Sequence, residues 1–182
     1  ELWDSGVRRR SLVAIRGPSD AETAVLAHAL WALGAVHVPL NARWTAAEIE
    51  NVLGLIGNCF YLSRETGEGK WDLLLRQRSM TGEDLSAVQL VLFTSGTTGR
   101  PKAAKIPFCA VEASCRLSAQ ALGLGEDIRW LCPLPLYHIA GLSILYRCAF
   151  SGGTVLLQST FDPLRVREAL ERERISSEHA LA

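Results

Sequence analysis

Short runs of apolar residues alternate along the chain with longer segments in which apolar residues recur every three or four positions. The short runs, which we predict to be strands, cover residues 11–15, 35–40, 59–62 and 88–93. The longer segments predict helices, because their spacing places apolar side chains on one face. Strands separated by helices are typical of an α/β protein with a parallel sheet. We therefore expect a Rossmann-like layered sheet with crossover helices.

Two capping boxes predict where the first two helices begin. Ser19 with Glu22, and Thr45 with Glu48, have the spacing at which a hydroxyl and a carboxylate each accept a hydrogen bond from a backbone N–H group. Gly34 follows the first helical pattern, at a position that favours a left-handed C-terminal cap. The first helix is therefore expected to run from just after Ser19 to just before Gly34.

The remaining segments are less regular. Residues 63–84 are polar with only a weak apolar cluster, so we expect a surface excursion there rather than a domain linker. Beyond residue 102 the pattern predicts helices over 109–122 and 141–150, strands over 129–132 and 154–157, and a last helix that begins at Pro163 behind an Asp162 cap.

The composition is that of an ordinary globular protein, with 48% hydrophobic residues among 182. Nineteen basic and nineteen acidic residues cancel, so no strong field is available to attract nucleic acid or an anionic membrane. The apolar run at residues 139–150 is too short to cross a bilayer. Five cysteines without metal or disulfide spacing favour reduced thiols in the cytoplasm. We expect no resident metal, no nucleic-acid partner and no membrane span, and a homo-oligomer is compatible with the sequence.

A segment rich in glycine and hydroxyl groups follows the strand predicted at residues 88–93. Its candidate phosphate-binding residues are Thr94, Ser95, Gly96, Thr97, Thr98, Gly99 and Lys102. Backbone N–H groups, hydroxyl donors and one lysine suit a polyphosphate, and parallel sheets bind ligands at the carboxyl ends of their strands. The spacing is neither that of a Walker A motif nor that of a dinucleotide fingerprint. From spacing alone, a flexible turn is the alternative.

A second candidate site lies on a corner at residues 133–141. Pro133 and Pro135 fix an extended chain, whereas Gly141 permits a close backbone approach. Tyr137 and His138 are thereby held after a predicted strand, where a neutral imidazole can orient a carboxylate or shape a pocket. The alternative is that His138 is buried in the core or caps a helix.

Three segments resemble the adenylate-forming ligases, the superfamily of acyl-CoA synthetases and luciferases. Leu90–Lys102 reads LVLFTSGTTGRPK and resembles that family's phosphate-loop signature, Gly34–Asn41 (GAVHVPLN) resembles an earlier strand signature, and Pro133–Leu145 (PLPLYHIAGLSIL) is similar to the acyl-pocket motif. The resemblance extends over essentially the whole chain. Within the family, the GLSIL ending is most similar to the o-succinylbenzoate-CoA ligases of menaquinone biosynthesis. Fatty-acyl-CoA or aryl-CoA ligases are the alternative.

The resemblance implies a reaction in which ATP with Mg²⁺ activates a carboxylic acid as an acyl-adenylate, and the acyl group then passes to coenzyme A. It implies that the residues from Thr94 to Lys102 bind the phosphates, and that Tyr137, His138 and Gly141 line the acyl side. Ala103 stands where the family usually has glycine.

We also expect residues 1–182 to be a partial N-terminal AMP-binding domain, cut at both ends, because the chain opens with Glu1 and contains no counterpart of the family's adenine and ribose motifs or its catalytic lysine. No residue is therefore assigned a catalytic role, and the chain alone is expected to be inactive. A non-catalytic remnant of such an enzyme is the further alternative.

Overall fold

The computed structural model describes residues 2–65, 69–76, 87–95, 101–173 and 175. The chain divides into two compact units. The first consists of Glu1–Pro18 and Val25–Phe108, and the second of Ser19–Ala24 and Cys109–Ala182.

A six-stranded sheet forms the centre of the first unit, in the order β4-β3-β1-β2-β5-β6. Its strands are β1 (Leu12–Arg16), β2 (Val36–Leu40), β3 (Cys59–Ser63), β4 (Asp72–Arg76), β5 (Val88–Ser95) and β6 (Pro101–Pro107). Strand β1 pairs in parallel with β2 and β3, and β2 pairs in parallel with β5. The outer strands β4 and β6 are antiparallel to their neighbours. The predicted α/β fold with a mostly parallel sheet is confirmed.

Helices α1 (Ala21–Leu33) and α2 (Ala46–Ile56) connect the first three strands. Val13 of β1 belongs to a buried cluster that includes Leu30 of α1. The next residue, Ala14, belongs to another cluster that includes Val52 of α2. Successive side chains of a strand point to opposite faces, so the two helices cover opposite faces of the sheet.

The capping predictions have different outcomes for the two helices. The capping box of α2 is confirmed, since the Thr45 hydroxyl accepts a hydrogen bond from the Glu48 N–H and the Glu48 carboxylate accepts one from the Thr45 N–H. The predicted box of α1 is wrong. Asp20 caps that helix, accepting a hydrogen bond from the Thr23 N–H at 3.0 Å. Carboxylate and hydroxyl groups both cap helices well, and Ser19 is used elsewhere.

Two strands were missed by the pattern of apolar residues. The surface excursion expected at residues 63–84 is wrong in part, because Asp72–Arg76 forms β4 and pairs with β3. Strand β6 pairs with β5, although Lys102 to Lys105 are all exposed. Both strands lie at sheet edges, where side chains need not be apolar. Their place in the sheet depends on backbone pairing rather than on a buried face.

The second unit contains a parallel pair of strands, β7 (Arg129–Cys132) and β8 (Thr154–Leu157). Its helices are α3 (Phe108–Leu122), which begins at the boundary residue, α4 (Ile139–Ser151) and α5 (Pro163–Arg172). The predicted Asp162 cap of α5 is confirmed by hydrogen bonds to its carboxylate from the N–H groups of Leu164 and Arg165. Within the described residues, no helix has the length and apolar character that a bilayer crossing would require.

His37 in the middle of β2 predicts a stability that depends on pH. The side chain is 1% exposed, and burial lowers its pKa to about 3. The unfolded chain binds a proton at this histidine below about pH 6.5, whereas the folded chain stays neutral until about pH 3. Stability is therefore expected to fall as the pH falls through this window, by about 2 kcal/mol between pH 7 and pH 5.

Urea unfolding at a series of pH values measures this loss. His37→Leu should flatten the dependence, because the buried titrating group is gone. His28→Gln is the control, since His28 is only partly buried and should change the slope less. A His37→Leu profile as steep as that of the parent chain would contradict the assignment.

Candidate functional site

Thr94 and Lys102 face each other across the β5–β6 hairpin at the carboxyl end of β5. Their Cα positions are paired in the register, as are those of Ser95 and Pro101. The Thr94 hydroxyl donates to the Lys102 carbonyl oxygen at 3.5 Å, and both side chains are exposed. The other predicted phosphate-binding residues, Gly96, Thr97, Thr98 and Gly99, lie outside the described residues.

Lys102 occupies the second position of β6 rather than a loop. No carboxylate of the described residues forms a salt bridge with its ammonium group. Strand pairing fixes the backbone of Lys102 opposite Thr94, while the charged end of the side chain remains in solvent. A lysine held in this way can neutralise an anion at the carboxyl edge of the sheet.

His138 lies on the corner that precedes α4, as the N-cap residue with φ −105° and ψ 144°. Its N–H donates to the Pro135 carbonyl, and its own carbonyl accepts from the Leu142 N–H. The imidazole is exposed and makes no capping hydrogen bond. Neither alternative considered from the sequence, a buried core histidine or a side-chain helix cap, describes this residue. Its ring is accessible to a ligand.

Gly141, in the first turn of α4, is buried against the same corner. A Cβ atom at this position would lie 2.5 Å from the Pro135 carbonyl oxygen and 3.0 Å from that of Leu134. These backbone atoms cannot move aside as a flexible side chain could. The close approach predicted for Gly141 is therefore present, and it brings the chain before Tyr137 and His138 onto the start of α4.

Ser19 fixes the same corner from another part of the second unit. Its hydroxyl oxygen accepts a hydrogen bond of 2.8 Å from the Leu136 N–H, and both residues are buried. The corner prolines leave few other donors to hold this segment. Sequence reasoning missed this role, since a Ser before a helix also has the pattern of a cap.

Replacing Ser19 with alanine is expected to destabilise the chain by about 1.5 kcal/mol, because the buried Leu136 N–H would lose its acceptor. Ser143→Ala is a matched control, since that hydroxyl donates to the Ala140 carbonyl on an exposed surface. Urea unfolding followed by tryptophan fluorescence compares the two variants. If Ser19→Ala and Ser143→Ala had equal free energies of unfolding, the buried Ser19–Leu136 hydrogen bond would not contribute more to stability than an exposed one.

Arg16 and Arg64 lie at a crevice that the sequence analysis did not single out. The cavity measures about 190 Å³ and its lining residues are Arg16, Gly17, Pro18, Ala42, Arg64 and Glu65. Arg16 ends β1 and donates to the Ala42 carbonyl at 3.3 Å, while its buried Nε makes no hydrogen bond to the described residues. Arg64 follows β3 and lies over the Trp71 ring.

This crevice opens where the strand order reverses. The chain passes from β1 to β2 on one side and then returns to β3 on the other side of β1. Such a switch point at the carboxyl ends of parallel strands is where open α/β sheets bind ligands. The sequence did contain one sign of this crevice, since Arg16 is a charged residue at the carboxyl end of a predicted apolar strand.

The buried cysteines are poor candidates for nucleophiles. Burial raises the pKa of the Cys132 thiol, and it raises that of Cys148 to about 11. Both thiols therefore stay protonated near neutral pH, whereas the thiolate is the reactive form. Among the described residues of the second unit, the groups that remain exposed include the His138 imidazole and the Cys109 thiol.

The candidate residues fall into two groups in different units. Thr94 and Lys102 belong to the first unit, whereas Tyr137, His138 and Gly141 belong to the second. The structure places Thr94 and Lys102 together on the β5–β6 hairpin. It places Tyr137, His138 and Gly141 together on the corner that precedes α4.

Comparison with known proteins places nearly the whole chain in one family. Residues 2–180 match the family described as AMP-binding enzyme. The 2-succinylbenzoate–CoA ligase of Listeria innocua is 33% identical over 97% of this chain and 40% of its own length. The enzyme of the same name from Bacillus subtilis is 31% identical over 97% of the chain and 39% of its own. The chain thus spans about 40% of the length of these curated relatives.

Solved structures give the same result. The o-succinylbenzoate CoA synthetase of Bacillus subtilis, in complex with its acyl-adenylate intermediate, superimposes with a TM-score of 0.78 at 28% identity, covering 96% of this chain and 50% of that one. The same enzyme with ATP and magnesium ion gives a TM-score of 0.77 at 27% identity, covering 96% of this chain and 51% of that one. The chain therefore has the fold of the corresponding part of that enzyme.

Proposed function

Because the chain belongs to the family of AMP-binding enzymes, we propose that the protein is an ATP-dependent ligase that joins a carboxylic acid to coenzyme A. The observation that carries this proposal is the family match over nearly the whole chain. The relatives named 2-succinylbenzoate–CoA ligase favour o-succinylbenzoate as the acid. The protein is then an enzyme of menaquinone biosynthesis.

The proposed reaction has two steps. A carboxylate oxygen attacks the α-phosphorus of ATP, pyrophosphate leaves with Mg²⁺, and an acyl-adenylate forms. The thiol sulfur of coenzyme A then attacks the acyl carbon, loses its proton, and AMP leaves with the electrons of the broken acyl–oxygen bond. Negative charge accumulates on the leaving pyrophosphate in the first step, so fixed positive charge and hydrogen-bond donors lower its barrier.

We assign the phosphate role to the hairpin that contains Thr94 and Lys102, together with Ser95, Gly96, Thr97, Thr98 and Gly99. The pairing of Thr94 with Lys102 supports this assignment, because it holds a hydroxyl and an ammonium group at one end of the hairpin. The acyl role belongs to Tyr137, His138 and Gly141. The accessible imidazole of His138, on a corner fixed by Ser19, supports that assignment.

The crevice at Arg16 and Arg64 is assigned to the phosphate groups of coenzyme A. Guanidinium groups bind phosphate in a bidentate manner, and the buried Nε of Arg16 lacks a hydrogen bond within the described part of the chain. Glu65 lines the same crevice, so the net charge there is smaller than two arginines alone would give. This position is separate from the hairpin, so the nucleotide part of coenzyme A and the phosphates of ATP need not compete.

The remaining features of the proposal concern location and partners. The proposed location is the cytoplasm. That compartment supplies ATP and coenzyme A and keeps cysteines reduced, which suits the five free thiols. The partner is a small-molecule acid rather than nucleic acid, in keeping with the absence of net charge.

Exchange of labelled pyrophosphate into ATP tests the proposal in the complete protein that contains this chain. Exchange is expected to depend on o-succinylbenzoate and to be at least tenfold slower with benzoate or with a long-chain fatty acid. Faster exchange with a fatty acid would overturn the choice of acid. An absence of exchange with every acid would overturn the ligase assignment.

A further inference from the structure

A second cavity of the first unit lies at the amino ends of β1, β2 and β5, whereas Thr94 and Lys102 lie toward the carboxyl end of β5. It measures about 350 Å³ and is formed by the segment before β1, the end of α1, the start of β5 and the first residue of α3. We call it the basal groove and define it by Arg9, Arg10, Trp31 and Phe108, all of which line it. A cavity of this volume is large enough for a ligand of one or two rings.

Two adjacent arginines supply the charge of the basal groove. Arg9 and Arg10 are both exposed. No carboxylate in the described ranges forms a salt bridge with either of them. Each guanidinium presents a planar set of donors that matches the oxygens of a phosphate. Two such groups on successive residues favour a doubly charged anion over a singly charged one.

Two aromatic rings supply the apolar wall. The rings of Trp31 and Phe108 are tilted by 47° with their centroids 4.8 Å apart. Phe108 is 43% exposed, so one face of this pair borders the groove rather than the core. A flat ring seated there would gain both aromatic contact and apolar burial.

The walls of the groove are fixed by the backbone. The backbone of Arg10 has φ 68°, in the left-handed region that residues other than glycine rarely adopt. Its N–H donates to the Gly34 carbonyl at 2.8 Å. The Arg9 side chain passes over Gly34, where its Cγ would lie 3.1 Å from an added Cβ. The Phe108 N–H donates to the Ala87 carbonyl. A ligand would therefore meet a groove whose backbone is already ordered, which favours binding.

We propose that the basal groove binds an aromatic ring that carries a phosphate group. The arginines contact the phosphate and the Trp31–Phe108 pair contacts the ring. The site is distinct from the phosphate hairpin, because Arg10 precedes β1 and Val88 opens β5, whereas Thr94 lies near the other end of β5. The length of the strands separates the two sites by about 20 Å. The proposal does not depend on the proposed ligase activity.

Phenyl phosphate is the probe, and its binding to the chain is followed by calorimetry and tryptophan fluorescence. We expect saturable binding, weakened about fivefold by Arg9→Gln and by Arg10→Gly. Arg10→Gly is informative because glycine adopts the left-handed backbone without strain, so lost binding cannot be attributed to misfolding. Inorganic phosphate should bind at least tenfold more weakly, since it lacks the ring.

Arg43→Gln and Lys102→Ala are the controls, as both remove an exposed charge outside the groove, and both should leave the affinity unchanged. The proposal is overturned if Arg9→Gln and Arg10→Gly bind as tightly as the parent chain. It is also overturned if Lys102→Ala abolishes binding, because the probe would then occupy the phosphate hairpin. If inorganic phosphate bound as tightly as phenyl phosphate, the aromatic pair would contribute nothing and the proposed ligand class would be wrong.

Discussion

Replacing Gly141 with alanine is expected to lower the free energy of unfolding by about 3 kcal/mol. The added Cβ would lie 2.5 Å from the Pro135 carbonyl oxygen, well inside contact distance. Relief requires the backbone of the corner or the start of α4 to move, which also disturbs the position of His138. Urea unfolding followed by circular dichroism measures this change, and the buried Trp130, which is 1% exposed, adds a fluorescence signal from the same unit when the other four tryptophans are replaced by phenylalanine.

Gly125→Ala is the matched control, because a Cβ atom at that position meets nothing within 4 Å. Its stability should stay within about 0.5 kcal/mol of the parent chain. In the complete protein, Gly141→Ala should also raise the KM for the acid more than that for ATP. If both glycine variants were equally stable, the close approach at the corner would not be a constraint.

Lys102→Ala is expected to slow the acid-dependent exchange of pyrophosphate into ATP by one to two orders of magnitude. The lysine is proposed to contact the departing pyrophosphate, and a charge-assisted contact contributes about 1.5–3 kcal/mol when it is made in the transition state. The fold should survive, because the side chain is exposed and the backbone pairing with Thr94 does not require it.

Lys105→Ala removes the same charge from the same strand, three residues farther from the hairpin end, and should leave the rate within twofold. His138→Ala provides the opposite comparison, since it should raise the KM for the acid and leave that for ATP nearly unchanged. A Lys102→Ala enzyme impaired only in its use of the acid would reverse the assignment of the two sites.

The sequence predicted best those elements whose side chains are buried on a regular period. The apolar residues at positions 90–93 of β5 are typical of a strand in a sheet covered on both faces. The apolar residues of α2 recur every three or four positions because one face of that helix is buried. The Thr45 and Asp162 caps were predictable because their partners lie within three residues along the chain. Contacts of this kind are local, so a sequence pattern can indicate them when no distant group competes for the capping side chain, as Leu136 does for Ser19.

The rest depends on contacts between residues distant in sequence. Strand β6 has four successive exposed residues, and only its pairing with β5 makes it a strand. The hydroxyl of Ser19 bonds to a residue 117 positions away, which no local pattern indicates. The residue pattern located the candidate residues and the family resemblance implied their roles, whereas the exposure of His138 and the crevice at Arg16 became known only from the structure.

Strand β6 also affects how the protein behaves at high concentration. Among the described residues it is the last strand of its sheet, and an edge strand whose outer side is unpaired can pair with the edge of another molecule. Pro101 and Pro107 at its ends lack the N–H groups that such pairing needs, and Lys102 and Lys105 add repulsion between copies. The lysine proposed to hold phosphate would then also protect against aggregation. A neutral residue at position 102 is expected to reduce colloidal stability as well as turnover, so its kinetics are best measured in dilute solution.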